Sequence, residues 1–163
     1  MTPRKKLLLA LRTAILLVMA LIFFFSAQDG VKSSSTSRSA AEFVLRLLTP
    51  GYDDLPVSQR RGCRKTAERI VRKLAHFTEF AVLSSLLVRY FFVRRQNGRL
   101  LPALLTGWPL AVLYACTDEL HQSFVAGRGP ALLDVGIDAA GALVGALITL
   151  ALLARHMRKG EKR

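Results

Sequence analysis

Cysteine is scarce: Cys63 and Cys116 are the two in 163 residues, far apart and in different contexts. They read as two free thiols and give no support to a disulfide framework. The chain also lacks HExxH, so it carries no tight metal-ligand signature. Small residues are missing where a cleaved signal needs them, because Phe24 and Phe25 stand ahead of Ser26 and Ala27. The first apolar run therefore reads as an uncleaved helix. Despite a net charge of +13, no basic face interleaves with aromatics, which excludes nucleic acid as a partner. The lysines and arginines instead flank apolar segments, where they suit anionic lipid headgroups. Finally, amphipathic periodicity is weak in the first and last of these segments, which argues against a soluble helical bundle.

What is present is a set of long apolar runs. Between Leu7 and Phe25 only Arg12 and Thr13 interrupt. Three more runs follow, against a requirement of about 20 residues for a 30 Å hydrocarbon core. The expected fold is all-α, a single membrane domain over 1–163 with four transmembrane helices near 7–25, 74–93, 100–120 and 130–153. The loop 26–73 is expected to be extracytoplasmic and to carry a short amphipathic helix over 39–48, whose Phe43, Leu47 and Leu48 could rest on the membrane surface. The basic run 60–73 is expected to open the second helix, and Gly107-Trp108-Pro109 to bend the third. A basic tail fills 154–163. Arg89 within the second apolar run aside, basic residues number twelve on one side and eleven on the other. Long loops weigh less than short loops and tails, so both ends are placed in the cytoplasm.

Ionisable residues break into these apolar segments at one depth. His76 and Glu79 open the second helix, Asp118 and Glu119 fall near the far end of the third, and Asp134 and Asp138 lie early in the fourth. Antiparallel helices bring all six to the same side. At 100° per residue Arg72, His76 and Glu79 share a face, and Asp118, His121 and Gln122 share another. Asp134, Asp138, Gly141 and Gly145 form a stripe whose GxxxG lets a neighbouring backbone approach. Like charges crowded in a dry site need an answer. Pairing with Arg72, Lys73 or Arg128 is one, shared protonation of a coupled set another, and a bound divalent cation a third.

Each residue keeps a structural reading beside its chemical one. His76 with Glu79 is an acid–base pair, two metal ligands, or an interfacial hydrogen bond. Of Asp118 and Glu119, one belongs to a site and the other to a cap or to solvent. Arg128, between two glycines, suits a phosphate or a salt bridge to Asp134.

Three blocks resemble the VanZ family: FSAQDG after the first helix, RKLAHFTEFAVL over 72–83, and TDELHQSFVAGRGPALLDVGIDAAGALVG over 117–145. The resemblance implies a small multi-pass protein of the bacterial plasma membrane, in a family named for low-level resistance to teicoplanin-type glycopeptides, with no settled reaction. By the same matching His76, Glu79, Asp118 and Glu119 are candidate catalytic residues. Lys73, Gln122, Arg128, Asp134 and Asp138 are candidate substrate-binding residues, and Gly141 stands at a further motif position. Family members often carry asparagine at the place of Asp138. The partners expected are membrane lipids and a lipid-linked envelope precursor or glycopeptide. Three functions compete: an enzyme on such a precursor, a non-catalytic binding or scaffolding protein, and a proton-coupled transporter.

Overall fold

A computed structural model describes residues 1–28, 30–95, 98–126 and 131–160. Among them are five helices and no strand: α1 (Pro3–Ser26), α2 (Gly30–Leu48), α3 (Val57–Arg95), α4 (Leu100–Gln122) and α5 (Leu132–Gly160). Four of these, α1, α3, α4 and α5, are long and apolar enough to cross a membrane.

Helix α1 starts where sequence chemistry places it. Thr2 accepts a hydrogen bond from the Lys5 amide, and Pro3 occupies a first-turn position that needs no donor. Its inward stripe is Leu11, Ile15, Ile22 and Ser26, while Leu16, Leu17, Phe23 and Phe24 face outward, as lipid contact permits. Arg12 is not stranded in the apolar run. Its guanidinium donates to Tyr90 Oη at 3.0 Å and lies over that ring.

At 39 residues, α3 is about 58 Å long at 1.5 Å per residue, roughly twice the hydrocarbon thickness. It contacts all four other helices. The basic run does open it, as expected, and lifts its first half clear of the apolar part. Helix α2 follows that half in the antiparallel sense, with Arg38 and Arg64 both on Glu68 and Arg64 also on Glu42. Gly51, at φ +73°, makes the left-handed step between them. The helix expected over 39–48 therefore begins earlier, at Gly30, and the segment read as loop is largely a helical hairpin. The architecture is five helices rather than a clean four-helix bundle. The polar run after Gly30 has weak intrinsic helix preference, and the ion pairs of α2 with α3 fall farther along, at Arg38 and Glu42. Phe43, Leu47 and Leu48 are exposed, but the axis of α2 follows α3.

Small residues set the helix spacing. An added Cβ would fall 2.7 Å from the Val88 amide nitrogen at Gly107, and 2.9 Å from the Phe77 Cα at Gly141. At Gly145 it would fall 2.6 Å from the Ala81 carbonyl carbon. Thus α4 and α5 both press backbone to backbone on α3, the seam the GxxxG stripe anticipates. Helix α4 runs through Pro109 without interruption.

The start of α1 and the last turns of α5 lie at one end of the bundle. Arg4 donates to the carbonyls of Val93 at 3.2 Å and Arg94 at 2.8 Å, capping the C-terminus of α3 with a cation. Gly98 meets Met157 of α5 there as well. The ionisable residues gather at the opposite end.

Candidate functional site

The site is built from the last turn of α1, the middle of α3, the end of α4 and the start of α5. Asp118 is its buried centre, at 4% exposure. Its Oδ2 accepts from Ser26 Oγ at 2.8 Å and from Gln122 Nε2 at 2.8 Å. The i to i+4 spacing on α4 brings Gln122 over Asp118. The other oxygen, Oδ1, is buried and has no hydrogen-bond partner among the described residues.

Glu119 is also buried, at 7%, and turns the other way. It accepts from the Ala131 amide, which stands immediately before α5. A carboxylate there satisfies a donor with no partner inside the helix and faces the positive end of its dipole. Of the adjacent acids, then, Asp118 faces the interior and Glu119 acts as the cap.

Lys73 pairs with Asp134, tying α3 to the first turn of α5. His76 Nδ1 lies 3.6 Å from Glu79 Oε2 on the shared face of α3. Glu79 lies within electrostatic reach of Asp118. Asp138, at 4% exposure, feels the charges of Asp118, Asp134, Glu119 and Glu79 together. The other four carboxylates thus lie within electrostatic reach of Asp138. Arg128 lies outside the described residues, as does any contact it makes with phosphate or Asp134. His121 stacks on Phe23 of α1, centroids 4.5 Å apart.

The crowding is answered in part: a lysine for Asp134, a hydroxyl and an amide for Asp118 and a helix terminus for Glu119, while Glu79 has the His76 imidazole ring nearby and Asp138 has like charges around it. Among the described residues no three His, Cys, Asp or Glu side chains form a group that could hold a metal, so His76, Glu79 and Asp118 are not a ready ligand set there. Ser26 is a participant absent from the candidate residues read from the sequence, although the FSAQDG block contains it.

Asp138 is surrounded by like charge. Asp138→Asn should therefore keep the fold and raise the melting temperature in detergent by about 2–4 °C, the shift expected for about 1 kcal/mol in a chain of this size. A lower melting temperature would show that the charge is used.

A family model for VanZ/LLP1 proteins matches residues 12–154. No curated protein and no solved structure matches the chain. The matched region covers most of the chain, with α3 and α4 whole, the greater part of α1 and α5, and every residue of the polar layer described above, so the chain belongs to the VanZ/LLP1 family of membrane proteins.

Proposed function

We propose that the polar layer binds a lipid or lipid-linked precursor of the bacterial cell envelope and works on it by acid–base chemistry. The observation that carries this reading is the orphaned Oδ1 of Asp118. A buried acceptor without a donor is costly, and a hydroxyl or amine brought by a bound molecule would relieve it. In this scheme His76 and Glu79 move a proton, Asp118 orients the reacting group with Ser26 and Gln122 behind it, and Arg128 holds a phosphate. Lys73 and Asp134 hold α3 and α5 together beneath the bound head group. Association with teicoplanin-type resistance follows from the family, as an effect on how such precursors are presented.

A second reading is non-catalytic binding. It is favoured by Glu119, Lys73 and Asp134, whose contacts already serve to hold helices together. Mass spectrometry of envelope lipids from cells with and without the protein separates the two. The enzymatic reading expects a changed lipid that reverts in His76→Ala and Glu79→Gln while both variants still reach the membrane. An unchanged lipid profile leaves the binding reading.

The same scheme places both termini in the cytoplasm and the polar layer at the outer face of the plasma membrane. Cys63 is exposed on the projecting half of α3. It should react with a membrane-impermeant maleimide in intact cells. Labelling only after lysis would invert the orientation.

A further inference from the structure

At the end of the bundle away from the acids, a cavity of about 420 Å³ opens between α3 and α5. Leu86, Leu152, Leu153 and Thr149 form its walls, and Arg89 and His156 stand over it. Ser85 closes its floor, bonding across to the Gly145 carbonyl at 2.9 Å. Lys73 and Asp134 pair at the other end of the same two helices. Counted from that pair, Arg89 lies about 24 Å and His156 about 33 Å along the helices at 1.5 Å per residue, which is one hydrocarbon thickness away. The cavity therefore opens at the opposite headgroup level.

Arg89 is exposed on an apolar helix and has no carboxylate partner among the described residues. A guanidinium in that position is costly unless an anion meets it. His156 adds a second donor, a ring N–H, on the facing helix, and the leucines below offer an acyl-sized apolar wall. We infer that this cavity seats one anionic phospholipid, its phosphate on Arg89 and His156 and a chain along Leu86, Leu152 and Leu153. Charge complementarity selects the occupant, because two donors over an apolar wall match a phosphate with chains attached and do not match a free ion or a protein segment. The seat is independent of the chemistry at the acid layer.

Native mass spectrometry of the full chain in detergent, with phosphatidylglycerol or phosphatidylcholine added, tests this. The wild type should retain one phosphatidylglycerol and discriminate against phosphatidylcholine. Arg89→Gln should weaken retention about tenfold, the factor that one charge-assisted hydrogen bond supplies. Arg89→Lys should restore part of it, and Arg155→Gln, on the neighbouring tail, should leave it unchanged. Excess inorganic phosphate should not displace the lipid. Equal retention of both lipids, equal losses in Arg89→Gln and Arg155→Gln, or displacement by phosphate alone would each overturn the seat.

Discussion

Alanine at Gly145 is expected to be the most destabilising single-methyl change in the chain. The new Cβ would meet the carbonyl group of Ala81, with the carbonyl carbon 2.6 Å away, and a backbone group in mid-helix cannot swing aside as a side chain would. Either α3 and α5 move apart or the helix bends. Overpacking of this kind costs about 1–3 kcal/mol and at times more, and backbone contact belongs at the upper end. Gly141→Ala meets Phe77 in the same way. Thermal unfolding in detergent checks this against an internal control. Gly62 lies in α3 with nothing within 4 Å of an added Cβ. Gly62→Ala should therefore raise stability by about 0.5–1 kcal/mol, since alanine is the better helix former. If Gly145→Ala and Gly62→Ala behave alike, the close approach of α3 and α5 is wrong.

The second large effect is expected at Asp118. Removing its carboxylate in Asp118→Ala leaves the Ser26 hydroxyl and the Gln122 amide without their acceptor in a buried place. Unmade hydrogen bonds of this sort cost about 1–3 kcal/mol. The apparent melting temperature should fall by about 2–4 °C per kcal/mol in a chain of this size. Asp118→Asn separates structure from chemistry, because its carbonyl still accepts from Ser26 while the charge is gone. It should keep near-native stability and lose any lipid product seen with the wild type. A full lipid phenotype in Asp118→Asn would exclude that charge from the mechanism.

These two positions also show how far the residues speak for themselves. Hydropathy and helical period were enough for the four apolar helices and for the seam at Gly141 and Gly145, because close packing of long helices leaves a periodic record. The depth of the acids followed from counting residues along antiparallel rods. Which charge answers which did not follow. Spacing offers Arg72, Lys73 and Arg128 as equal candidates, and the pair Lys73–Asp134 depends on the rotation of two helices and not on their sequence spacing. Glu119 as the cap of α5 and Ser26 as a donor to Asp118 are contacts between distant segments, and a one-dimensional pattern holds no sign of them. The early start of α2 was hidden for a different reason. Its run of serines reads as a breaker, and the ion pairs of Arg38 and Glu42 with α3 join segments that sequence spacing does not connect.

That half of α3 carries one more implication. A rod of about 58 Å would have to lean by about 60° to disappear into a 30 Å hydrocarbon layer, beyond the 0–40° that spanning helices adopt. It must stand out of the bilayer like a mast. Arg46, Arg60, Arg61 and Arg64 line a hollow beside Tyr52 at that mast, with Asp53 paired to Arg46 and Glu42 to Arg64. With four arginines against two acids the hollow carries a net positive field, an attraction for anions with a reach of about 8 Å at physiological ionic strength that fades as salt is added.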